Sequence, residues 1–260
     1  MHAMSAFPPD SPLVSRIVPS PNHDARPCPP DILLLHYTGM RTMQAALDRL
    51  CSSEARVSSH YLVDEDGTVM QLVAEAERAW HAGVSLWEYG NNLNSRSIGI
   101  EIVNPGHEFG YREFPQPQVD AVIALSRDIV ARRSIRSHHV LAHSDVAPTR
   151  KEDPGELFPW QQLAHANVGL WVAPAPIIAG DVLGPGDAGE AVRALQSALA
   201  AYGYGLAPTG VFDAATVAVV TAFQRHFRPA RIDGRADPST VKTLQDLLMA
   251  KGSAIAPAVV

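Results

Sequence analysis

The sequence predicts an α/β domain, a mixed central sheet flanked by helices, followed by a second, small three-helix all-α domain. Three observations predict it. Short apolar runs bounded by turn residues alternate with segments of helical period along the first part of the chain. The stretch Ala173-Pro174-Ala175-Pro176 then breaks the pattern and reads as a stiff linker. Beyond it the composition shifts to Ala, Val, Leu and Gln at helical spacing.

Taken in order, residues 1–30 are rich in Pro and Ser and read as an extended arm laid on a domain surface. The main domain spans 31–173, the linker 174–182, the helical domain 183–250 and a tail 251–260. Ile32 to Tyr37 is an apolar run suited to a buried strand, and Met43 to Leu50 has helical spacing. Residues 58–73 read as two strands joined at Asp66-Gly67, a hairpin signal. Ser97 to Val103 is another strand. Gln118 to Arg132 is an amphipathic helix, with Val119, Val122, Ile123, Leu125, Ile129 and Val130 as its buried side. Val140 to Ala142 is a short strand ending at His143, and residues 157–169 supply a closing helix. In the last section, Gly-x-x-Asp-x-x-Thr-Val occurs at Gly210 and again at Gly234. The glycine supplies a turn and the aspartate can cap the next helix. Pro238 falls at the first helical position, where proline is favoured. With the helix of Ala188 to Ala200, these make three helices.

Apolar residues make up 46% and charged residues 18% of 260, with a formal net charge of −6. That balance excludes bulk binding to nucleic acid or anionic membrane and leaves room for a local basic patch. No apolar run approaches the ~20 residues of a membrane span. The N-terminus lacks the basic-then-apolar pattern of a secretory signal, which favours a cytoplasmic location. Cys28 and Cys51 are too few for a disulfide scaffold and lack CxxC spacing. Eleven histidines therefore draw attention first.

His36 and His143 each end an apolar strand. A single such histidine is more often a satisfied core residue; two suggest strand ends converging on one place. Ten residues on, Lys151-Glu152-Asp153 precedes Pro154, which favours extended backbone. Lys151 and Asp153 then face one way and Glu152 the other. The segment is either a solvated charged turn, or Asp153 completes a His-His-carboxylate zinc site with a fourth position open for water. Glu101 shares a strand face with Gly99 and Val103. If that face is covered, Glu101 is a buried carboxylate needing a partner, and a metal-bound water would make it a general base. Trp80-His81-Ala82-Gly83 is a loop suited to ligand contacts, and Arg78 and Arg96 are candidate carboxylate forks.

The segments LLLHYTGM, SSHYLVDEDG, QLVAEAERAWHAGVS, SIGIEIVNPG and AHSDVAPTRKEDPGELFPW, in this order, resemble the type 2 zinc-dependent N-acetylmuramoyl-L-alanine amidases of the AmpD and AmiD kind. This family is related to peptidoglycan recognition proteins. The resemblance covers about residues 12–172. The terminal part, with its LQ, GY, TGxFD and FQ pattern, resembles the small peptidoglycan-binding module. The resemblance implies Zn2+ held by His36, His143 and Asp153, with Glu101 as the catalytic carboxylate and Lys151 stabilising the oxyanion. It implies a place for Tyr61 near the metal and for Trp80 and His81 beside the substrate cleft. Arg96 joins them as a substrate-binding candidate. The implied reaction cleaves the amide between N-acetylmuramic or anhydro-muramic acid and L-Ala of the stem peptide, with peptidoglycan or muropeptides as partners. The alternative is a non-catalytic muropeptide receptor. The wall-binding module points to the cell envelope, against the cytoplasmic expectation above.

Overall fold

The computed structural model describes residues 7–255. The first six residues of the expected arm and residues 256–260 of the expected tail lie outside the described residues. In chain order the strands are β1 (Arg16–Ile17), β2 (His23–Ala25), β3 (Ile32–Tyr37), β4 (Tyr61–Val63), β5 (Val69–Gln71), β6 (Glu77–Ala79), β7 (Leu86–Trp87), β8 (Gly90–Asn91), β9 (Ser97–Ile102) and β10 (Val140–Ala142). The helices are α1 (Met43–Leu50), α2 (Leu93–Arg96), α3 (Gly106–Phe109), α4 (Gln116–Arg133), α5 (His143–Val146), α6 (Trp160–His165), α7 (Glu190–Tyr202), α8 (Ala214–Phe227) and α9 (Pro238–Ile255).

Six strands form the main sheet in the order β1-β5-β4-β9-β3-β10. All neighbours are parallel except the β4–β5 hairpin, so the sheet is mixed. The N-terminal arm is extended as its prolines require. It contributes the edge strand β1 and pairs β2 with β6.

Period-2 alternation sorts the central strands into two faces. Leu33, Leu35, Ile98, Ile100, Ile102, Val140 and Ala142 turn to one side, where α4 covers them with Val119, Val122, Leu125 and Ile129. Ile123 and Val130, expected on that side of α4, are only half-buried, and Gln118 and Ser126 are buried instead. Gln118 belongs there because its amide donates to the carbonyls of Val63 and Val103.

The other face carries Ile32, Leu34 and Leu141. Their cover is the C-terminal helical unit. A single apolar cluster joins these residues and Val146 to Val219, Val220, Phe223 and Phe227 of α8. The unit therefore packs as a layer of the fold across the linker. Further along the same face, α1 covers Leu62, Met70 and Val103 with Ala46, Leu47 and Leu50.

The internal repeat has a structural cause. Gln196 accepts from the Gly210 backbone N–H and donates to Thr216. Gln224 accepts from the Gly234 N–H and donates to Thr240. Asp213 and Asp237 each accept the N–H of the threonine three residues on, capping α8 and α9. The helical domain runs past the expected boundary at 250, because Gly252 stays helical and α9 continues to Ile255.

Candidate active site

His36 and Glu101 are direct neighbours in register on the parallel strands β3 and β9. Both point to the face between α1 and the helical unit. His143 opens α5 at the end of β10, the strand on the other side of β3. Asp153 comes from the following loop, held by Ser144 N–H donating to the Asp153 carbonyl at 3.0 Å. Three segments distant in sequence therefore converge because they end the same sheet.

The three donor atoms are close. His36 Nδ1 lies 2.9 Å from His143 Nδ1 and 3.1 Å from Asp153 Oδ2, and His143 Nδ1 lies 2.9 Å from that oxygen. All three residues are buried. The outer ring nitrogens decide which protons are present. His143 Nε2 faces the Ala82 carbonyl at 3.1 Å, to which it can donate, with Arg150 Nη2 3.3 Å from the same nitrogen. Ser97 Oγ donates to the Leu93 carbonyl at 2.6 Å, so it accepts from His81 Nε2 at 3.3 Å. His81 Nδ1 is then an acceptor, and His36 Nε2 donates to it at 2.9 Å. In the neutral form that a metal requires of imidazole ligands, both inner Nδ1 atoms would present lone pairs beside a carboxylate oxygen. Acceptors facing one another with no donor between them call for a cation. Separations of 2.9–3.1 Å approach the ~3.3 Å edge of a tetrahedron with ~2.0 Å bonds, so the set fits zinc.

The electrostatics agree. Burial, then the neighbouring His143 ring, pulls His36 to about 4, leaving it neutral and ready to donate its lone pair. Burial opposes ionisation of Asp153, but positive charge and donated hydrogen bonds on its His143 and His36 side hold it well below the usual carboxylate range, the pull that a cation seated among them would supply. Burial and the Asp153 charge push Glu101 well above the ordinary value, while Lys151 pulls the other way. Glu101 Oε2 is buried with no hydrogen-bond partner. Glu101 is half-buried where the cavity opens over its strand face, and among the described residues its Oε2 has no protein partner.

A cavity of about 160 Å³ lies over these groups, lined by Glu101, His143, Asp153, Lys151, Trp80 and His81. Glu152 faces away from the cavity and pairs with Arg225 of α8 at 2.7 Å. Tyr37, Arg49 and Ser58 also line the cavity. The sequence reading missed them; Tyr37, directly after His36, carried a local signal.

Two expected substrate residues lie away from the cavity lining. Tyr61 is fully buried on the α4 face and donates to Glu75 Oε1 at 2.6 Å. Its strand is apolar on both faces, so local pattern did not reveal its direction. Arg96 pairs with Asp31 at 2.6 Å, outside the cavity lining. Arg78 is likewise held by Asp24. His81 changes emphasis: it supports His36 from behind. Gly99 makes room for it, since a Cβ there would lie 2.6 Å from His81 Nδ1.

Comparison with known proteins gives the following. The N-acetylmuramoyl-L-alanine amidase family profile matches residues 26–156, and a peptidoglycan binding domain profile matches residues 188–244. The chain is 38% identical to N-acetylmuramoyl-L-alanine amidase AmiD of Escherichia coli over 232 residues, covering 84% of this chain and 82% of that one. The solved structure of E. coli AmiD with the substrate anhydro-N-acetylmuramic acid-L-Ala-D-gamma-Glu-L-Lys matches with a TM-score of 0.73 at 37% identity. That match covers 88% of this chain and 93% of that one. AmpDh3 of Pseudomonas aeruginosa, solved with anhydromuramic pentapeptide, matches with a TM-score of 0.68 at 31% identity, covering 86% and 92%.

Proposed function

This chain belongs to the N-acetylmuramoyl-L-alanine amidase family, and on that premise we propose that it works as a zinc enzyme whose metal is held by His36, His143 and Asp153. The scissile bond is the amide joining the lactyl group of N-acetylmuramic or anhydro-N-acetylmuramic acid to L-Ala of a stem peptide. The substrate in the AmiD complex and the anhydromuramic pentapeptide in the AmpDh3 complex support this class. One observation carries the reading: three buried ligand atoms of His36, His143 and Asp153 converge beside the half-buried Glu101, whose Oε2 has no hydrogen-bond partner among the described residues.

Zinc bound there supplies Lewis acidity, which acidifies water toward a pKa of about 7 and polarises a carbonyl. The remaining chemistry falls to the chain's own groups. Glu101 takes the proton of the attacking water and passes it to the nitrogen of L-Ala as the C–N bond breaks. The Lys151 ammonium, on the cavity wall, faces the oxyanion that develops on the lactyl carbonyl. The products are a lactyl carboxylate and a peptide with a free amine. Trp80 contributes an apolar wall that excludes bulk water. The amidase names among its relatives and the complete donor set favour this enzyme over a non-catalytic receptor.

The test is metal removal. After dialysis against a chelator, the chain should stop releasing free peptide from anhydro-N-acetylmuramyl-tripeptide, read by mass spectrometry. One equivalent of zinc should restore release. A chelated, metal-free chain that cleaves at the original rate would overturn the zinc reading.

A further inference from the structure

We propose that the helical module is a structural part of the metal site: Tyr204 and His226 fix Asp145, and Asp145 fixes the backbone that carries His143. This rests on His143 being a metal ligand, as proposed above.

Asp145 is a fully buried carboxylate two residues after His143. Its Oδ1 accepts from Tyr204 Oη at 2.7 Å. Its Oδ2 accepts from His226 Nδ1 at 2.7 Å and from the Ala142 backbone N–H at 2.8 Å. An ionised carboxylate only accepts, so all three contacts are donations to it. Two of the three donors belong to the module.

The Ala142 contact has local meaning. Ala142 is the cap residue of α5 and Asp145 its third helical residue. A carboxylate at that position reaching back to the cap N–H fixes the turn from strand to helix. His143 sits between the two, at the turn itself. The neighbouring Ser144 N–H holds the Asp153 carbonyl at 3.0 Å, so the same turn also sets the segment of a second ligand.

The module's donors are themselves rigid. Burial and the Asp145 charge push the Tyr204 phenol well above its ordinary value, which keeps it protonated and donating. Its ring packs edge-on against Trp87 at 5.1 Å. The His226 ring stacks on Trp160 of α6 at 3.7 Å. A module that served only as a tethered anchor would need a linker. It would not need to satisfy a buried charge inside its partner, where an unpaired carboxylate is costly. Deleting one donor leaves that charge short of a partner, and α5 can recover one only by moving, which displaces His143. Tyr204 and His226 are therefore positioning residues.

The experiment uses the full chain. Zinc affinity is measured by competition with a chromophoric chelator, and ligand geometry by the visible bands of the cobalt(II) form. Tyr204→Phe and His226→Leu should each weaken zinc about 10- to 100-fold, the usual cost of losing outer support of a metal ligand, and should shift the cobalt bands. His226→Asn keeps an N–H near the Nδ1 position and should restore both readouts toward the parent. Phe212→Leu loosens the module core without touching Asp145 and should leave zinc affinity unchanged. In an Asp145→Asn background, Tyr204→Phe should cost less than it does in the parent, because the two act through one contact. Should His226→Leu fail to fold, Tyr204→Phe, which removes a single oxygen, carries the test. Parent-like zinc affinity and cobalt bands in Tyr204→Phe and His226→Leu would overturn this proposal alone. So would an equal loss in Phe212→Leu, which would signal general loosening. A parent chain that binds neither metal would overturn both this proposal and the zinc reading beneath it.

Discussion

Replacing Gly99 by Ala should weaken zinc binding without unfolding the sheet. Gly99 lies in β9 with no left-handed backbone requirement, so alanine suits the strand itself. The difficulty is the added methyl. It would sit 2.6 Å from His81 Nδ1 and 2.7 Å from two ring carbons. Ordinary contact begins near 3.4 Å, so the ring must withdraw by 3.4 − 2.6, about 0.8 Å. Retreat from the sheet stretches the 2.9 Å bond from His36 Nε2 toward ~3.7 Å, outside hydrogen-bond range. His36 then loses the acceptor that fixes its tautomer. Loss of such support typically costs 10- to 100-fold in metal affinity, about 1.4–2.8 kcal/mol. Zinc competition with a chelator gives the affinity, and thermal unfolding of the metal-free chain reports on the sheet. In a His81→Ala background the clash is gone, and Gly99→Ala should add nothing. A Gly99→Ala chain that binds zinc as tightly as the parent would refute the role given to His81.

Two further predictions concern the scaffold. Burial alone would raise the Glu75 carboxyl, but hydrogen bonds from Arg132 and Tyr61 hold it down at about 2 against 4.5. A carboxyl depressed on folding contributes stability that is fully present above pH ~4.5 and lost as pH falls through ~2. The fall from 4.5 to about 2 sets a ceiling of about 3–4 kcal/mol, and the 30% and 31% exposure of Arg132 and Arg133 lowers it to about 1–2 kcal/mol. Urea unfolding of Glu75→Gln should show a shallower loss across that window; an unchanged slope would contradict the network. Phe223→Ala removes a fully buried ring from the cluster shared by sheet and module and should cost about 3–5 kcal/mol. Calorimetry should show one transition moving down; two separate transitions, with the α/β part unmoved, would contradict the shared core.

Much of the site was legible because strand alternation is strict. Glu101 could be assigned a strand face and His36 a strand end, and Lys151 and Asp153, expected to face one way, both line the cavity. What the chain could not reveal was adjacency. β3 and β9 lie about 65 residues apart in sequence, and no local pattern states that His36 pairs with Glu101. Tyr61 shows the same limit from the other side. In a parallel region buried on both faces, Tyr61 and Leu62 are equally apolar, so direction is set only by what packs above and below. The third helical section was legible as helices, but an apolar stripe does not name its partner. That the partner is the sheet's second face emerged only in three dimensions, as did the roles of Tyr204, His226 and Asp145. Asp145 did carry a faint signal, an acid at the third position of a helix start.

The central claim is that Glu101 moves the proton while His36, His143 and Asp153 hold the zinc. Glu101→Gln tests it most directly when turnover and bound metal are measured on one preparation. Turnover of anhydro-N-acetylmuramyl-tripeptide should fall about 10²- to 10⁴-fold, the usual weight of a general base, while one zinc per chain remains bound. Near-parental turnover with the zinc in place would contradict the claim, and so would loss of the metal together with the activity.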